Sequence, residues 1–285
     1  MDLEQVRTFL AVAAHGSFME AATRLHITQS TVSARIQNLE TYLRTSLFTR
    51  NRSGASLTPA GKRFLRHAKT LQLTLEQARH DVGLPQRYQA SLTVGARIAL
   101  WDAGLLTQWV GEMRAQMPEV SIRSEIGFEE DLMRRLMAGT MDMALMYTPQ
   151  HGYGLSIEHL FDETLVLVGN SANQAWPDEN YVYVDWGPGF YAEHSNRFPE
   201  LERPALVANI GWLAVQLVMQ NGGSCFLPKR MADPLVAEGK LAIIANSPSL
   251  RLPAYVVYPT QAQPECEHAL SLLRELVQQL EFAKL

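Results

Sequence analysis

The 285-residue chain has only two cysteines, Cys225 and Cys266, far apart and in unlike contexts. Two such residues exclude a disulfide scaffold and offer no zinc-cluster spacing, so both read as plain thiols. Long apolar runs are also absent: none approaches the roughly 20 residues of a membrane span. The opening MDLEQVRTFL is acidic where a secretion signal would be basic and then apolar. A cytoplasmic location with no membrane partner is therefore expected. Enzyme motifs are lacking too. NGGSCF misses the second glycine of a G-x-S-x-G elbow, and neither H-E-x-x-H nor a P-loop occurs. Glu193-His194 with Asp185 could be imagined as an acid–base set, but the spacing is loose and a solvated polar helix explains it. No catalysis and no cofactor are expected.

Apolar content of 47% and charge of 19% are those of an ordinary globular protein. The length predicts two or three domains. A net charge of −4 conceals an asymmetry. Up to Leu84, eleven basic residues face six acidic ones, a balance of +5, and the remainder holds fourteen against twenty-three, or −9. A basic N-terminal segment on an acidic body suggests that the first part alone meets a polyanion.

That segment centres on residues 17–43, SFMEAATRLHITQSTVSARIQNLETYL. Ser17 with Glu20 fits a capping box and predicts a helix start, with Ala21, Ala22 and Leu25 as its small apolar face. His26 and Ile27 turn the chain and Thr28 caps the next helix. There Val32, Ile36, Leu39 and Leu43 form one core stripe. At about 100° per residue, Ser30, Ser33, Ala34, Gln37 and Thr41 face the other way, a small polar surface suited to base edges in a major groove. The pattern predicts a helix-turn-helix whose second helix reads DNA.

Before it, Leu3, Val6, Phe9, Leu10 and Ala13 stripe a first helix that Gly16 ends. After it, LFTRNRSGASLTPAG carries a turn at Ser53-Gly54 and reads as a two-stranded wing. An arginine on such a hairpin can enter the minor groove or pair phosphates; Arg50 is expected to pair with Glu40, with DNA contact as its alternative, and Arg52 to face DNA. Thr58-Pro59 opens a long helix in which Phe64, Ala68, Leu71, Leu75, Ala78 and Val82 repeat as a heptad seam, predicting a dimer through this helix. Gly83, Pro85 and the polar run behind them read as a hinge at about 86–90.

Residues 1 to about 85 resemble the winged helix-turn-helix and linker helix of LysR-type transcriptional regulators. The matching stretches are LEQVRTFLAVAAHGSFMEAA, ITQSTVSARIQNLE, LFTRNR and LTPAG. The resemblance implies DNA contact at Thr28, Gln29, Ser30 and Ser33, and at Arg52 on the wing. Where the family often has Arg directly after the Ser, this chain has Ala34 and then Arg35. The shift turns the guanidinium towards the helix flank, and Arg35 is expected on a phosphate.

From Ser91, strands and helices alternate in βαβ order, which predicts two α/β lobes. Leu100–Met117 is expected as one helix. The family resemblance implies an effector domain like a periplasmic binding protein, with lobe I at about 91–165 and 259–285 and lobe II at about 166–258. Crossings are placed near 165–170 and 254–259, and the helix at 264–282 is expected to pack back on the first lobe. Ligands of parallel α/β sheets lie beyond strand ends, near helix N-termini. Those ends select Ala96, Arg97, Ile98, Gly127, Phe128, Tyr147 and Thr148 in one lobe, and Asp185, Trp186, Gly187, Gly211 and Trp212 in the other. Expected partners are double-stranded promoter DNA, a small-molecule effector, further copies in a homodimer or homotetramer, and RNA polymerase. A thiol switch at Cys266 and a regulator without a small ligand stay open as alternatives.

Overall fold

The computed structural model describes residues 1–51, 54–101, 104–201 and 204–282. It separates into two compact units, Met1–Leu84 and Pro85–Leu285. Among the described residues no helix is long and apolar enough to cross a membrane.

The first unit opens with α1 (Leu3–His15), capped by a reciprocal box between Asp2 and Gln5. In α2 (Phe18–Leu25), Ser17 accepts the Glu20 amide, but Glu20 reaches forward to Arg24 and leaves the expected box half made. His26 closes α2 in the left-handed region at φ 54°, and Thr28 caps α3 (Gln29–Leu43) by accepting from the Thr31 amide. Val32, Ile36 and Leu39 are fully buried among Val6, Phe9, Val12, Phe18 and Ala21. This three-helix core forms because each short helix buries one stripe that it could not bury alone.

The wing pairs β1 (Phe48–Asn51) antiparallel with β2 (Gly54–Leu57). Glu40 fixes its start: Oε1 accepts from the amides of Leu47, at 2.6 Å, and Phe48, at 3.1 Å. The Arg50 side chain and all of Arg52 lie outside the described residues. Thr58 and Pro59 then open α4 (Pro59–Val82) as the sequence predicts. A Cβ on Gly61 would sit 2.1 Å from the Leu47 carbonyl oxygen, so the LTPAG turn needs glycine there to lay α4 against the wing.

The second unit begins earlier than the expected hinge ends, because the Gln89 amide already bonds the Glu119 carbonyl. Its first lobe carries β3 (Ala90–Ala96), parallel to both β4 (Val120–Ile126) and β5 (Met143–Met146). Between them lie α5 (Ile98–Trp101), α6 (Leu105–Gln116) and α7 (Glu129–Met137). The single helix expected over 100–117 is thus two, with Gly104 at φ 88° starting the second. The other lobe holds β7 (Val182–Val184), α8 (Pro188–Arg197), β8 (Leu206–Ala208), α9 (Gly211–Asn221), β9 (Ser224–Pro228), α10 (Lys229–Ala237) and β10 (Ala242–Ile243).

Two long antiparallel strands, β6 (Leu155–Gly169) and β11 (Leu250–Pro259), run through both lobes. Leu165–Gly169 already pair with β9, while Tyr255–Val257 pair with β5, so the lobes join at about residues 160–164 and 250–254. A register shift at Ala254/Tyr255 marks the passage. Both crossings therefore precede the places expected from sequence. The last helix, α11 (Pro264–Phe282), packs back on the first lobe, where the Trp109 indole donates to the Ala269 carbonyl at 2.8 Å.

Candidate functional site

Two surfaces can carry chemistry. The first is the outward face of α3. Thr28, Gln29, Ser30, Ala34, Gln37 and Thr41 are exposed and Ser33 is half-buried. The face is polar and nearly uncharged because its opposite stripe is consumed by the core, which fixes the helix roll. Thr28 Oγ1 lies 2.8 Å from both Ser30 Oγ and Thr31 Oγ1, so the hydroxyls at the helix start form a small ordered group. Arg35 stands apart from it. Its Nη1 pairs with Glu4 at 3.0 Å and donates to Thr8 at 3.4 Å, tying α3 to α1, so the guanidinium expected on a phosphate is engaged within the domain.

The heptad seam of α4 divides in two. Ala68 is fully buried, and Phe64 meets Phe9 edge-on with centroids 4.9 Å apart. Leu71 also packs against this core. The first half of the seam thus serves its own domain, and the expectation that all six residues face a second copy is corrected for Phe64 and Ala68. Leu75 is half-buried, Ala78 is exposed, and Val82 is 89% exposed.

The second surface is a cleft of about 570 Å³ between the lobes of the second unit. Arg97, directly after β3, is 4% exposed and spans it. Nη1 pairs with Glu129 at 3.1 Å in the same lobe, and Nη2 donates to the Asp185 carbonyl of the other lobe at 2.8 Å. The Phe128 ring lies over the guanidinium, 4.7 Å from ring centre to Cζ. Thr148 and Gln150 follow β5, and Tyr183, Asp185, Gly187, Pro188, Tyr191 and Val207 line the far wall. Gly187, at φ 110°, makes the close approach. A Cβ there would stand 3.5 Å from Thr148 Oγ1 and 3.6 Å from Glu129 Oε1. Three buried atoms here have no hydrogen-bond partner among the described residues: Arg97 Nε, Glu129 Oε1 and Tyr183 Oη. Burial, with Asp185 nearby, pushes the Tyr183 phenol well up, so it stays protonated.

Of the twelve ligand candidates read from strand ends, Arg97, Phe128, Thr148, Asp185 and Gly187 line this cleft and the other seven do not. Ala96 is core, Ile98 starts α5, and Trp212 is an exposed residue of α9. Trp186 is buried, its indole donating to the Phe226 carbonyl. Tyr147 is buried and donates to Glu163 at 3.2 Å, beneath a different hollow beside Arg251 and Tyr255. Glu129, Tyr183 and Tyr191 were missed. Glu129 stands three residues past the end of β4, as the first residue of α7, Tyr191 one turn into α8, and Tyr183 inside a strand whose alternation reads as core.

Behind the cleft, Arg230 of α10 grips Glu163 on the crossing strand, with Nη2 to Oε1 at 2.6 Å, and also donates to the Ala99 carbonyl of the first lobe. The supposed acid–base set comes apart. His194 shares a 2.9 Å hydrogen bond with the Tyr181 hydroxyl, Glu193 pairs with Arg197, and Asp185 accepts from the Gly187 amide. Both cysteines are buried thiols pushed up by burial, Cys266 to about 12, which reverses the depression a thiol switch at this helix start would need.

A winged helix-turn-helix joined to a two-lobe domain with an interior cleft defines the class: a DNA reader coupled to a binding module. Comparison with known proteins makes it specific. Residues 3–62 match the bacterial regulatory helix-turn-helix protein, lysR family, and residues 85–280 match the LysR substrate binding domain. The HTH-type transcriptional regulator HdfR of Salmonella typhi is 31% identical over 261 residues, covering 90% of this chain and 92% of its own. Among solved structures, CbnR, a LysR family transcriptional regulator, gives a TM-score of 0.73 at 20% identity, with 97% of this chain and 99% of CbnR covered. Full-length CbnR complexed with target DNA gives 0.72 at 19% identity, with 97% and 100% covered. The chain belongs to the LysR family of DNA-binding transcriptional regulators.

Proposed function

We propose that α3 enters the major groove of promoter DNA with Thr28, Gln29, Ser30, Ser33 and Gln37 towards the bases. The carrying observation is the exposed, polar, nearly uncharged face of a helix whose other stripe is fully buried. Such a face exchanges hydrogen bonds with base edges, while basic residues elsewhere in the unit, Arg50 and Arg52 on the wing among them, supply phosphate contacts. Arg35 acts indirectly, holding α3 on α1.

Two copies join through the C-terminal half of α4, where Leu75 and Val82 have no core to fill, and pairs of dimers assemble through their effector domains. Dimers hold two reading helices about 34 Å apart, one helical turn of DNA. A small-molecule effector in the cleft acts by its differential affinity for two arrangements of the lobes, altering how bound dimers bend DNA and admit RNA polymerase. The protein works in the cytoplasm and carries out no chemical step of its own. DNase footprints with and without effector test the whole scheme, and unchanged footprints despite tight ligand binding would remove its allosteric half. Replacing Leu75 and Val82 together by Lys is expected to give monomers by sedimentation. Persisting dimers would move the interface elsewhere.

A further inference from the structure

The charge and hydrogen-bonding state of the cleft narrow the class of effector, on the reading that this cleft is the effector site. Arg97 is lined up against Glu129, Glu130 and Asp185, and is already paired with the first of them. Helix α7 starts with Glu129, Glu130 and Asp131, which oppose the positive end that would otherwise draw an anion. A simple carboxylate or phosphate entering here meets net negative charge. A bare amine would leave the Arg97 donor unmet.

The unpartnered atoms point to a molecule that is neither. Arg97 Nε is an N–H donor and Glu129 Oε1 an acceptor, each on one partner of an ion pair that uses only Nη1 and Oε2. Across the cleft, the hydroxyl of Tyr183, a residue 8% exposed, is likewise unmet. Orphaned buried polar groups cost stability that a complementary ligand recovers. Phe128, Tyr191 and Val207 leave apolar surface exposed around them.

We propose that the cleft takes a free α-amino acid. Its ammonium meets Glu129 Oε1, its carboxylate meets Arg97 Nε, the Tyr183 hydroxyl closes on the pair from the second lobe, and an apolar side chain lies against Phe128, Tyr191 and Val207. A zwitterion satisfies donor and acceptor together without adding net charge. It enters by loosening the clasp between Arg97 Nη2 and the Asp185 carbonyl, which ties binding to the separation of the lobes.

The test uses the full-length chain in calorimetric titration against the twenty amino acids. Each hit is compared with its decarboxylated amine and its deaminated acid; for leucine these are 3-methylbutylamine and 4-methylpentanoate. At least one amino acid is expected to bind, with both truncated analogues and Glu129→Gln weakening binding about tenfold or more. Tyr183→Phe removes only the unmet hydroxyl, so the chain is expected to fold as before and bind the amino acid several-fold more weakly. An acid or amine that binds as tightly as the amino acid overturns this inference and leaves the cleft an effector site of another class. A hit insensitive to both substitutions overturns it by placing the site elsewhere. Binding by none of the amino acids or analogues overturns it outright, while an effector of other chemistry that competes with Arg97 contacts would still uphold the cleft.

Discussion

The polar face of α3 and the cleft of the second unit are built in opposite ways. One is a single run of fifteen residues, Gln29–Leu43, whose outward polar side chains are exposed or half-buried and whose buried stripe lies on the other side. The other draws its walls from the ends of β3, β4, β5 and β7 and from α8 and β8, and its central residues are buried. A surface reader gains by keeping donors and acceptors free until DNA supplies partners. A cleft reader holds charges out of water, so each must be compensated by another, as Arg97 is by Glu129 and Arg230 by Glu163. The difference places side-chain changes in α3 on affinity, and changes in the paired charges on stability.

The largest effect that can break this comparison is expected at Glu163. Glu163→Ala removes the buried carboxylate that the Arg230 guanidinium and the Tyr147 hydroxyl share, at a cost of about 3–5 kcal/mol. In hydrogen exchange, amides of β6 and β11 lose protection while those of α1–α3 keep theirs. Equal losses in both units would end the separation drawn here. A smaller effect is expected at Gln29. Gln29→Ala lowers affinity for the cognate site by about 1–3 kcal/mol, spares binding to random DNA and leaves thermal stability unchanged. Equal loss on both DNAs would remove Gln29 from base reading.

The smallest effect concerns pH. Burial holds the His194 imidazole below its ordinary value of about 6.5, so the folded chain keeps it neutral where the unfolded chain takes up a proton. The second unit is therefore expected to reach full stability above that pH and to lose it progressively as pH falls through and below 6.5. Denaturant midpoints from pH 7.5 to 5 for the parent chain and for His194→Gln check this, with a shallower slope in the variant. An unchanged slope would assign the acid response to other groups.

Legibility followed contiguity. The caps at Ser17, Thr28 and Thr58, the core stripe of α3 and the outward face of that helix were readable because helical periodicity projects sequence directly onto space. The seam of α4 was readable as a stripe but not as two half-stripes. Nothing local tells Phe64, which finds Phe9, from Val82, which stays 89% exposed. The cleft was readable only to the nearest strand end. Arg97, Phe128, Thr148 and Asp185 fell within it, whereas Trp186 and Tyr147, equally close to strand ends, turned inwards. Side chains alternate faces along a strand, and the twist and curl at its end decide which one reaches the cleft.

By itself the sequence determined the modular order, the charge division, the helix-turn-helix with its polar face and the family to which the chain belongs. These depend on local propensity and spacing, which act over a turn or two of chain. Only the tertiary structure decided that Arg35 is held by Glu4, that Glu40 fixes the wing, and that Arg97, Glu129 and Tyr183 line one cleft with unmet hydrogen-bonding atoms. Each of those outcomes turns on a partner tens of residues away or on two residues from different elements. Such pairings are set by how layers pack and strands register, a choice that no short window of residues contains.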